Sequence, residues 1–402
     1  MTAEKTEGTK NPAVNRIISV DVMRTLAIAL MVMCHFPIYL SGNAGSIANL
    51  WTYFIANHVL GDFPAAWFLF LMGVSQVLSA RKREGIQNFV ARRAISRGVF
   101  LFITGLVLAG LTYGPSEIWA WDILPLIGIG LVVCFFCRKV SSPVLLIACI
   151  FIVFITPSLR GLVDFTRQWG GALQQVSVIS DYFPGILYDP VADYQVVWSF
   201  KAIITGLFLT GEFPILPWLI FPLIGIIVGR RIVTGRINDD LPLISLLAMV
   251  LAVFGITVAY ASTFRPGILP ITFHIAPLSF YPNSTTMIAL QMGCTLLAFS
   301  ILYWCFDKSS TQADAGSPFI LYCKRMSRFS LSFYVIHYFA IFWPLWLWKF
   351  YSGNFLYEKV MSPMRAAMLS ILFVVLFSVF LYYWDKKGGK FGLEWLQTRI
   401  VG

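Results

Sequence analysis

The first apolar segment of the chain carries an arginine and a histidine whose spacing places both on one face of a helix. The segment reads DVMRTLAIALMVMCHF, from Asp21 to Phe36, and is otherwise almost entirely apolar. Arg24 and His35 are close to three helical turns apart, which separates them by roughly 16 Å along the axis. Asp21 lies one turn before Arg24 and can orient its guanidinium. Because ionisable groups inside a membrane span are functional candidates, Arg24 is a candidate anion-binding group and His35 a candidate general base.

A structural interpretation of the same residues stays open. Asp21 and Arg24 can anchor the helix at the membrane interface, with His35 as a hydrogen-bonded interior histidine. A second group favours chemistry, because His58 and Asp62 lie four residues apart where the next apolar segment begins. On a helix these two side chains face each other, and a carboxylate beside an imidazole fixes its tautomer and raises its basicity. We therefore expect a general-base site formed by His35, by His58 with Asp62, or by both.

Three further polar residues are candidates for binding a substrate. Glu212 precedes FPILPWLIFP, whose prolines interrupt regular helix, and such irregularity at membrane depth indicates a covered or water-filled cavity. Asn283, in YPNSTT, stands just before the apolar run at 286–306, where it is either part of a helix cap or a ligand contact. His337 lies in the middle of the run SFYVIHYF, where it either packs against another helix or lines a channel.

Composition identifies the elements that position these residues. Of the 402 residues 58% are hydrophobic and only 12% are charged, and the mean hydropathy is +0.76, whereas about a quarter of a soluble domain is charged. The sequence therefore predicts an all-α, polytopic transmembrane helical bundle with about ten spans. The spans are expected at 17–40, 63–80, 95–113, 120–137, 143–159, 214–233, 241–261, 286–306, 327–348 and 366–384.

The placement of positive charge predicts the topology. With a cytoplasmic N-terminus, most of the Lys and Arg residues fall in cytoplasmic segments, so the net charge of +11 indicates orientation rather than nucleic-acid binding. The tails 1–15 and 386–402 are then cytoplasmic, residues 16–385 form the membrane domain, and 160–213 caps its outer face. Val196–Thr210 is expected to be a re-entrant or interfacial helix. We expect a multi-pass protein of the plasma (inner) membrane.

Motifs for several other chemistries are missing from the sequence. It contains no P-loop, no nucleophile elbow and no dinucleotide fingerprint. The cysteine pair in CFFC, Cys134 and Cys137, has no second cluster that would complete a metal site, so no metal is predicted.

Six segments in order resemble a known superfamily. The arginine, ten residues and histidine in ISVDVMRTLAIALMVMCH are similar to a motif of the membrane acyltransferase-3 family. The wider pattern resembles relatives of heparan-α-glucosaminide N-acetyltransferase, the DUF1624 family. The other segments are DFPAAWFLFLMGVSQVLS, FPILPWLIFPLIGIIVGR, FYPNSTTMIALQMG, MSRFSLSFYVIHYF and GGKFGLEWLQ.

The resemblance implies transfer of an acyl group, usually acetyl, from cytoplasmic acyl-CoA to a sugar hydroxyl or amine on the outer face. The acceptor would be a glycan or a lipid-linked saccharide of the cell envelope. Arg24 and His35 take the roles of the essential arginine and histidine of the acyltransferase-3 relatives. The heparan branch instead has asparagine at the position of His35, and its catalytic histidine lies about ten residues before the aspartate matching Asp62. Here His58 is four before it, so His58 stays the alternative base.

Arg92 and Arg93, in the basic segment after the second span, are candidate ligands for the CoA phosphates. The positive-inside bias explains such a segment equally well. A proton-coupled or small-solute transporter is the alternative function, although the chain shows no internal symmetry of the kind typical of transporters. An inactive scaffold of the same fold also stays open, as does the choice between a monomer and a homodimer.

Overall fold

A computed structural model describes most of the chain. The described residues are 16–42, 45–81, 87–163, 169, 173–176, 179, 186–190, 194–262, 277–308, 316–353 and 360–401. The N-terminal tail and much of the predicted cap at 160–213 lie outside them.

The described residues are overwhelmingly helical. The first helices are α1 (Ile18–Leu40), α2 (Ile47–Phe54), α3 (Pro64–Arg81), α4 (Gln87–Thr112), α5 (Ile123–Cys137) and α6 (Ser142–Gly161). Those that follow are α7 (Phe200–Thr205), α8 (Ile215–Trp218), α9 (Ile220–Val233), α10 (Ile237–Ser262), α11 (Thr285–Tyr303), α12 (Pro318–Arg328), α13 (Ser330–Ser352), α14 (Pro363–Lys386) and α15 (Leu393–Val401). Three π-helical turns extend α2, α7 and α11, at Ile55–Gly61, Gly206–Thr210 and Trp304–Lys308. Two short antiparallel strands, β1 (Leu173–Gln175) and β2 (Tyr188–Pro190), pair in the cap region.

The predicted all-α polytopic bundle is confirmed. Nine helices or helical runs within the described residues are long and apolar enough to cross a membrane, and α5 is a shorter apolar helix. Each of the ten predicted spans coincides with one of these helices. The segment predicted at 196–210 forms α7 and the π-turn Gly206–Thr210. These eleven residues extend only about 16 Å, which is too short to cross a bilayer alone.

Helix α1 lies at the centre of the bundle. It packs against α3, the π-turn Ile55–Gly61, α11, α12, α13 and α14. Its apolar window is 67% buried, whereas that of α10 is only 17% buried and exposes Leu243 and Val253. An apolar helix that is mostly exposed is suited to contact with lipid. The arginine and histidine of α1 therefore lie on a largely enclosed helix, where neighbouring helices provide most of their surroundings.

Glycines allow the inner helices to approach closely. A Cβ added to Gly73 of α3 would lie 2.0 Å from the Pro222 carbonyl oxygen of α9. A Cβ added to Gly225 would lie 2.2 Å from the Phe70 carbonyl oxygen. Small residues at such crossings are typical of membrane bundles, because backbone contact replaces the hydrophobic driving force that lipid removes.

Carboxylates from other parts of the chain cap two helices. Asp307 accepts hydrogen bonds from the backbone N–H groups of Ile18 and Ser19, both at 2.8 Å, at the start of α1. Glu394 of α15 accepts from the backbone N–H of Ser332 at 2.8 Å and from the Ser332 hydroxyl, in the first turn of α13. A carboxylate at a helix N-terminus satisfies free N–H groups and complements the helix dipole. These contacts fix where α1 and α13 begin.

Candidate functional site

His35 of α1 and His337 of α13 are in direct contact. Nδ1 of His35 lies 2.9 Å from Nε2 of His337, and the two rings stack with their centroids 5.1 Å apart. His337 is completely buried, whereas His35 keeps partial solvent accessibility. The sequence left His337 either packed against another helix or lining a channel, and in both cases separate from the base. The structure joins it to His35 of α1 in one buried pair.

Tyrosines surround the histidine pair. The Tyr338 ring lies 4.4 Å from the His337 ring and 5.2 Å from the His35 ring, between centroids. The hydroxyls of Tyr39 and Tyr113 lie 2.7 Å apart, and the Tyr39 ring packs edge-on against His35. Phenol hydroxyls both donate and accept hydrogen bonds. The histidine pair is thus lined by polar groups within an otherwise apolar bundle.

A buried carboxylate completes this cluster. Asp122, at the N-cap of α5, accepts a hydrogen bond from the Tyr334 hydroxyl at 2.8 Å and from the Ile123 N–H at 2.6 Å. The Tyr338 hydroxyl is directed at the same carboxylate. Among the described residues, no cationic side chain lies within ion-pair distance of Asp122. Two phenols and a helix N-terminus therefore provide its polar environment.

His58 and Asp62 face each other as predicted, but not on a regular α-helix. His58 lies in the π-turn Ile55–Gly61, and its Nδ1 is 3.7 Å from the Asp62 carboxylate. Both side chains are about 8% exposed. The distance is that of an ion pair and exceeds normal hydrogen-bond length. The turn packs on α1, because a Cβ added to Gly61 would touch Cys34, the residue before His35.

Asn283 belongs to a network that holds this turn. Its side-chain Nδ2 donates to Gln291 Oε1 at 2.9 Å, and Gln291 Nε2 donates to the Asp62 carbonyl oxygen at 2.7 Å. The guanidinium of Arg160, which is buried, donates to the Asn283 carbonyl oxygen at 2.7 Å and to the Leu209 carbonyl oxygen at 3.1 Å. Asn283 Oδ1 is buried without a hydrogen-bond partner among the described residues. Asn283 thus has a structural connection to Asp62 and one free acceptor.

Glu212 lies near the same cluster. Its backbone N–H donates to Ala120 at 3.1 Å, next to the segment that ends at Asp122. The next residue, Phe213, donates its backbone N–H to the Trp121 carbonyl oxygen at 2.9 Å. The backbone at Glu212 therefore pairs with the segment that leads into the N-cap of α5.

Arg24 forms the other polar site of α1. Its guanidinium donates to the hydroxyls of Ser327 and Ser75, both at 2.9 Å. The expectation that Asp21 orients Arg24 is wrong in detail, because the Asp21 carboxylate binds Arg16, with contacts at 2.5 and 3.0 Å. No carboxylate among the described residues lies within ion-pair distance of Arg24. Its charge is held by neutral hydroxyls and stays available to an anion.

The structure does not bring the other predicted cations to this site. Arg92 is exposed and Arg93 half-buried on the first turns of α4. That helix packs chiefly against α5. The described side chains of the preceding basic segment end at Arg81 and resume at Ala91, so a phosphate clamp there stays a prediction.

Sequence reasoning missed the second layer around the histidines. Asp122, Tyr334, Tyr338, Tyr39 and Tyr113 carry no motif of their own. One signal was available, because Asp122 is a single carboxylate at the start of a short apolar run, where ionisable residues are uncommon. The tyrosines flanking His337 resembled ordinary interface aromatics. Only the packing of α5 and α13 shows that they meet.

Comparison with known proteins identifies a family that matches this chain. The family model for the catalytic region of heparan-alpha-glucosaminide N-acetyltransferase matches residues 16–255, more than half of the chain. The match contains every predicted site residue except Asn283 and His337. No curated protein matches the chain. Among the described residues, no group of three or more His, Cys, Asp or Glu side chains is placed to hold a metal ion.

Proposed function

The chain belongs to the family of the heparan-α-glucosaminide N-acetyltransferase catalytic domain, and from this premise we propose that it transfers an acetyl group from acetyl-CoA across the membrane. Family membership makes it a membrane acetyltransferase acting on a sugar. The proposal adds the donor, its side of entry and the residues that act. The acceptor is a hydroxyl or an amine of a glycan or a lipid-linked saccharide.

One observation supports the proposal above all others. The central helix α1 presents two groups on one face: the Arg24 guanidinium, which has no carboxylate at ion-pair distance in the described part of the chain, and His35, which lies in a polar cluster. Arg24 is bonded to Ser327 of α12, and His35 to His337 of α13, so the two chain segments run alongside each other in the same direction. The roughly 16 Å between the two sites is of the order of an extended pantetheine arm.

Arg24 fits the phosphate end of the donor. A guanidinium has five N–H donors in a planar fork suited to phosphate, and the two serine hydroxyls occupy only part of this capacity. Asp21 does not compete, because it binds Arg16. Arg92 and Arg93 are proposed as auxiliary phosphate ligands. The positive-inside pattern supports a cytoplasmic location for this end and for both tails.

His35 fits the role of general base. In the reaction the acceptor O–H or N–H bond breaks, a bond forms from that atom to the acetyl carbon, and the thioester C–S bond breaks. His35 accepts the proton from the acceptor and returns it to the departing sulfur, so CoA leaves as a thiol. Of the Tyr39 and Tyr113 hydroxyls, one donates to the other, and we assign donation to the developing oxyanion to the second.

Glu212 and the free acceptor of Asn283 are proposed to bind the acceptor sugar. A half-buried carboxylate accepts hydrogen bonds from sugar hydroxyls and also pairs with an ammonium group. The backbone contact of Glu212 with Ala120, two residues before Asp122, supports an acceptor on the tyrosine-lined side of His35. Donor and acceptor then approach the histidine pair from opposite ends of α1, which supports transfer from the cytoplasm to an outer-face saccharide of the plasma membrane.

The test is CoA release from acetyl-CoA by the purified protein in detergent, with glucosamine-terminated and glucose-terminated oligosaccharides as acceptors. We expect acceptor-dependent CoA release, with the acetyl group recovered on the sugar by mass spectrometry. Recovery on nitrogen or on oxygen identifies the bond formed. The His35→Ala variant, with its thermal stability checked in parallel, should be inactive. Solute flux in proteoliposomes without any acetylated product would instead support a transporter.

A further inference from the structure

The proposed chemistry leaves two buried groups of the cluster unused, His337 and Asp122. His337 touches His35 and is completely enclosed, so it cannot itself meet an acceptor that arrives from solvent. Asp122 is 6% exposed and has no cationic partner among the described residues. Buried polar groups are costly unless they are satisfied. Two such groups beside the candidate base call for a chemical explanation.

The contact between the two histidines can exist in two tautomeric forms. In one, His35 Nδ1–H donates to His337 Nε2, and His35 Nε2 has a free lone pair. In the other, His337 Nε2–H donates to His35 Nδ1, and His35 Nε2 carries a hydrogen and cannot act as a base. The hydrogen bond made by one ring nitrogen thus decides what the other nitrogen can do.

The surroundings of His337 favour the first form. The carbonyl groups of Phe333 and Tyr334, one helical turn back, lie within electrostatic reach of its imidazole. Neither completes a hydrogen bond with Nδ1 at normal geometry. A carbonyl oxygen nevertheless attracts an N–H and repels a lone pair. The carbonyl groups therefore favour the tautomer of His337 that carries its proton on Nδ1 and accepts through Nε2.

Asp122 provides charge next to this pair. Its carboxylate is bonded to the Tyr334 hydroxyl, and the Tyr338 hydroxyl is directed at it. The rings of both tyrosines contact His337, with centroids at 5.5 and 4.4 Å. When His35 accepts a proton, the histidine pair becomes cationic. A carboxylate one tyrosine away stabilises that cation strongly, because charges inside a bundle are poorly screened.

We propose that His337 is a positioning residue that keeps Nε2 of His35 unprotonated, and that Asp122, acting through Tyr334 and Tyr338, stabilises the protonated pair during transfer. This inference rests on the proposed function, in which His35 is the base. It assigns His337 to the catalytic machinery rather than to the substrate channel. It also gives Asp122 a function that no motif in the sequence indicates.

A pair of substitutions at one position tests the first part. In His337→Gln the amide oxygen can still accept from His35 Nδ1–H, whereas in His337→Leu nothing can. We expect His337→Leu to lower kcat by about 100-fold or more, since general-base catalysis contributes 10²–10⁴-fold. His337→Gln should restore kcat to within about tenfold of wild type, with the KM for acetyl-CoA unchanged in both. Equal losses in the two variants would overturn the positioning role.

Nitrogen-15 NMR gives a readout that does not depend on turnover. The chain has four histidines, so ¹⁵N-histidine labelling produces few signals, and His35→Asn assigns those of His35. We expect wild-type His35 to be protonated on Nδ1 and unprotonated on Nε2, and His337→Leu to mix its tautomers. A wild-type His35 protonated on Nε2 would refute the proposal. If the wild type releases no CoA, the proposed function fails, yet the tautomer result still decides the role of His337.

The charge of Asp122 needs a matched set of variants. Asp122→Asn keeps an oxygen that can accept from Tyr334 but removes the charge, and we expect kcat to fall about 10- to 100-fold, as for a hydrogen-bonded charged group. Tyr334→Phe should give a smaller loss. The control is Tyr322→Phe, which loses a 3.1 Å contact to Ser378 on the periphery of the bundle. Wild-type kcat in Asp122→Asn, with the control also unchanged, would overturn the assignment.

Discussion

Two pairs of side chains in this protein contain a candidate base, and they differ in partner and in position. His35 contacts a second imidazole across two long helices, at 2.9 Å and inside a ring of tyrosines. His58 faces a carboxylate four residues away within a single π-turn, at 3.7 Å. By residue type alone, the pair of His58 and Asp62 looks like the stronger base, because a carboxylate normally raises the basicity of an imidazole.

The comparison shows that the location and hydrogen bonding of a histidine matter more than its neighbour's residue type for judging which histidine is the base. The Asp62 carboxylate at 3.7 Å is beyond hydrogen-bond distance of the His58 ring, whereas the ring nitrogens of His35 and His337 are within it at 2.9 Å. His35 also lies on the central helix that carries Arg24, so it is aligned with the candidate donor site. His58 lies on a turn that packs against α1 from the side. We therefore propose His35 as the base, with His58 and Asp62 in a supporting position.

The largest expected effect distinguishes His35 from His58 as the general base. His35→Ala should lower kcat for acetyl transfer by about 10²–10⁴-fold, because it removes the general base. His58→Ala is the matched control and should keep kcat within about tenfold. Initial rates of CoA release at saturating acetyl-CoA provide the measurement. Loss of activity in His58→Ala, with activity kept in His35→Ala, would reverse the assignment of the base.

The next effect tests the alignment of Arg24 with His35. Arg24→Ala should raise the KM for acetyl-CoA by about 10- to 100-fold, since a charge-assisted contact to phosphate is worth roughly 1.5–3 kcal/mol. The His35 chemistry should persist, so kcat at saturation should fall far less. Arg231→Ala is the control, because Arg231 of α9 is paired with Asp240 of α10 and neither residue belongs to α1. An unchanged KM for acetyl-CoA in Arg24→Ala would show that Arg24 does not bind the donor.

A smaller effect concerns the support of His58 and Asp62. Gln291→Leu removes the hydrogen bonds that Gln291 makes with Asn283 Nδ2 and the Asp62 carbonyl oxygen, which should lower the free energy of unfolding by about 1–3 kcal/mol. The control Gln76→Leu removes one amide-to-carbonyl contact, to Leu131, away from this turn. Denaturation in detergent measures both variants. If Gln291→Leu is as stable as wild type, the network does not hold the turn.

The smallest effect concerns the start of α13, which carries His337. Burial raises the pKa of Glu394 above its ordinary value of 4.5, although hydrogen bonds from Ser332 oppose the shift. The folded state then binds this proton more tightly than the unfolded state does. The corresponding stability is complete below the unfolded pKa and is lost as pH rises through the folded pKa. The melting temperature should follow this trend, and Glu394→Gln should flatten it; an unchanged slope would contradict the assignment.

The sequence predicted the membrane-spanning helices well, but it predicted poorly which polar side chains contact one another. Ten apolar runs coincide with ten helices, because the length of a span follows from membrane thickness and hydropathy alone. The eleven-residue spacing of Arg24 and His35 also holds, because helical periodicity fixes it locally. Asp21 was expected to hold Arg24 and holds Arg16 instead. That choice depends on the path of the chain before α1, which spacing does not encode.

The sequence by itself determined which helices cross the membrane and which of them carry ionisable groups, since both are properties of consecutive residues. Only the tertiary structure decided that His337 meets His35, although 302 residues separate them. It also decided that Asp122 is bonded to Tyr334, whose ring contacts His337. The side-chain hydrogen bonds of Arg24 go only to hydroxyls among the described residues. In an apolar bundle every buried polar group needs a partner, and helix packing selects which of the few available groups meets it.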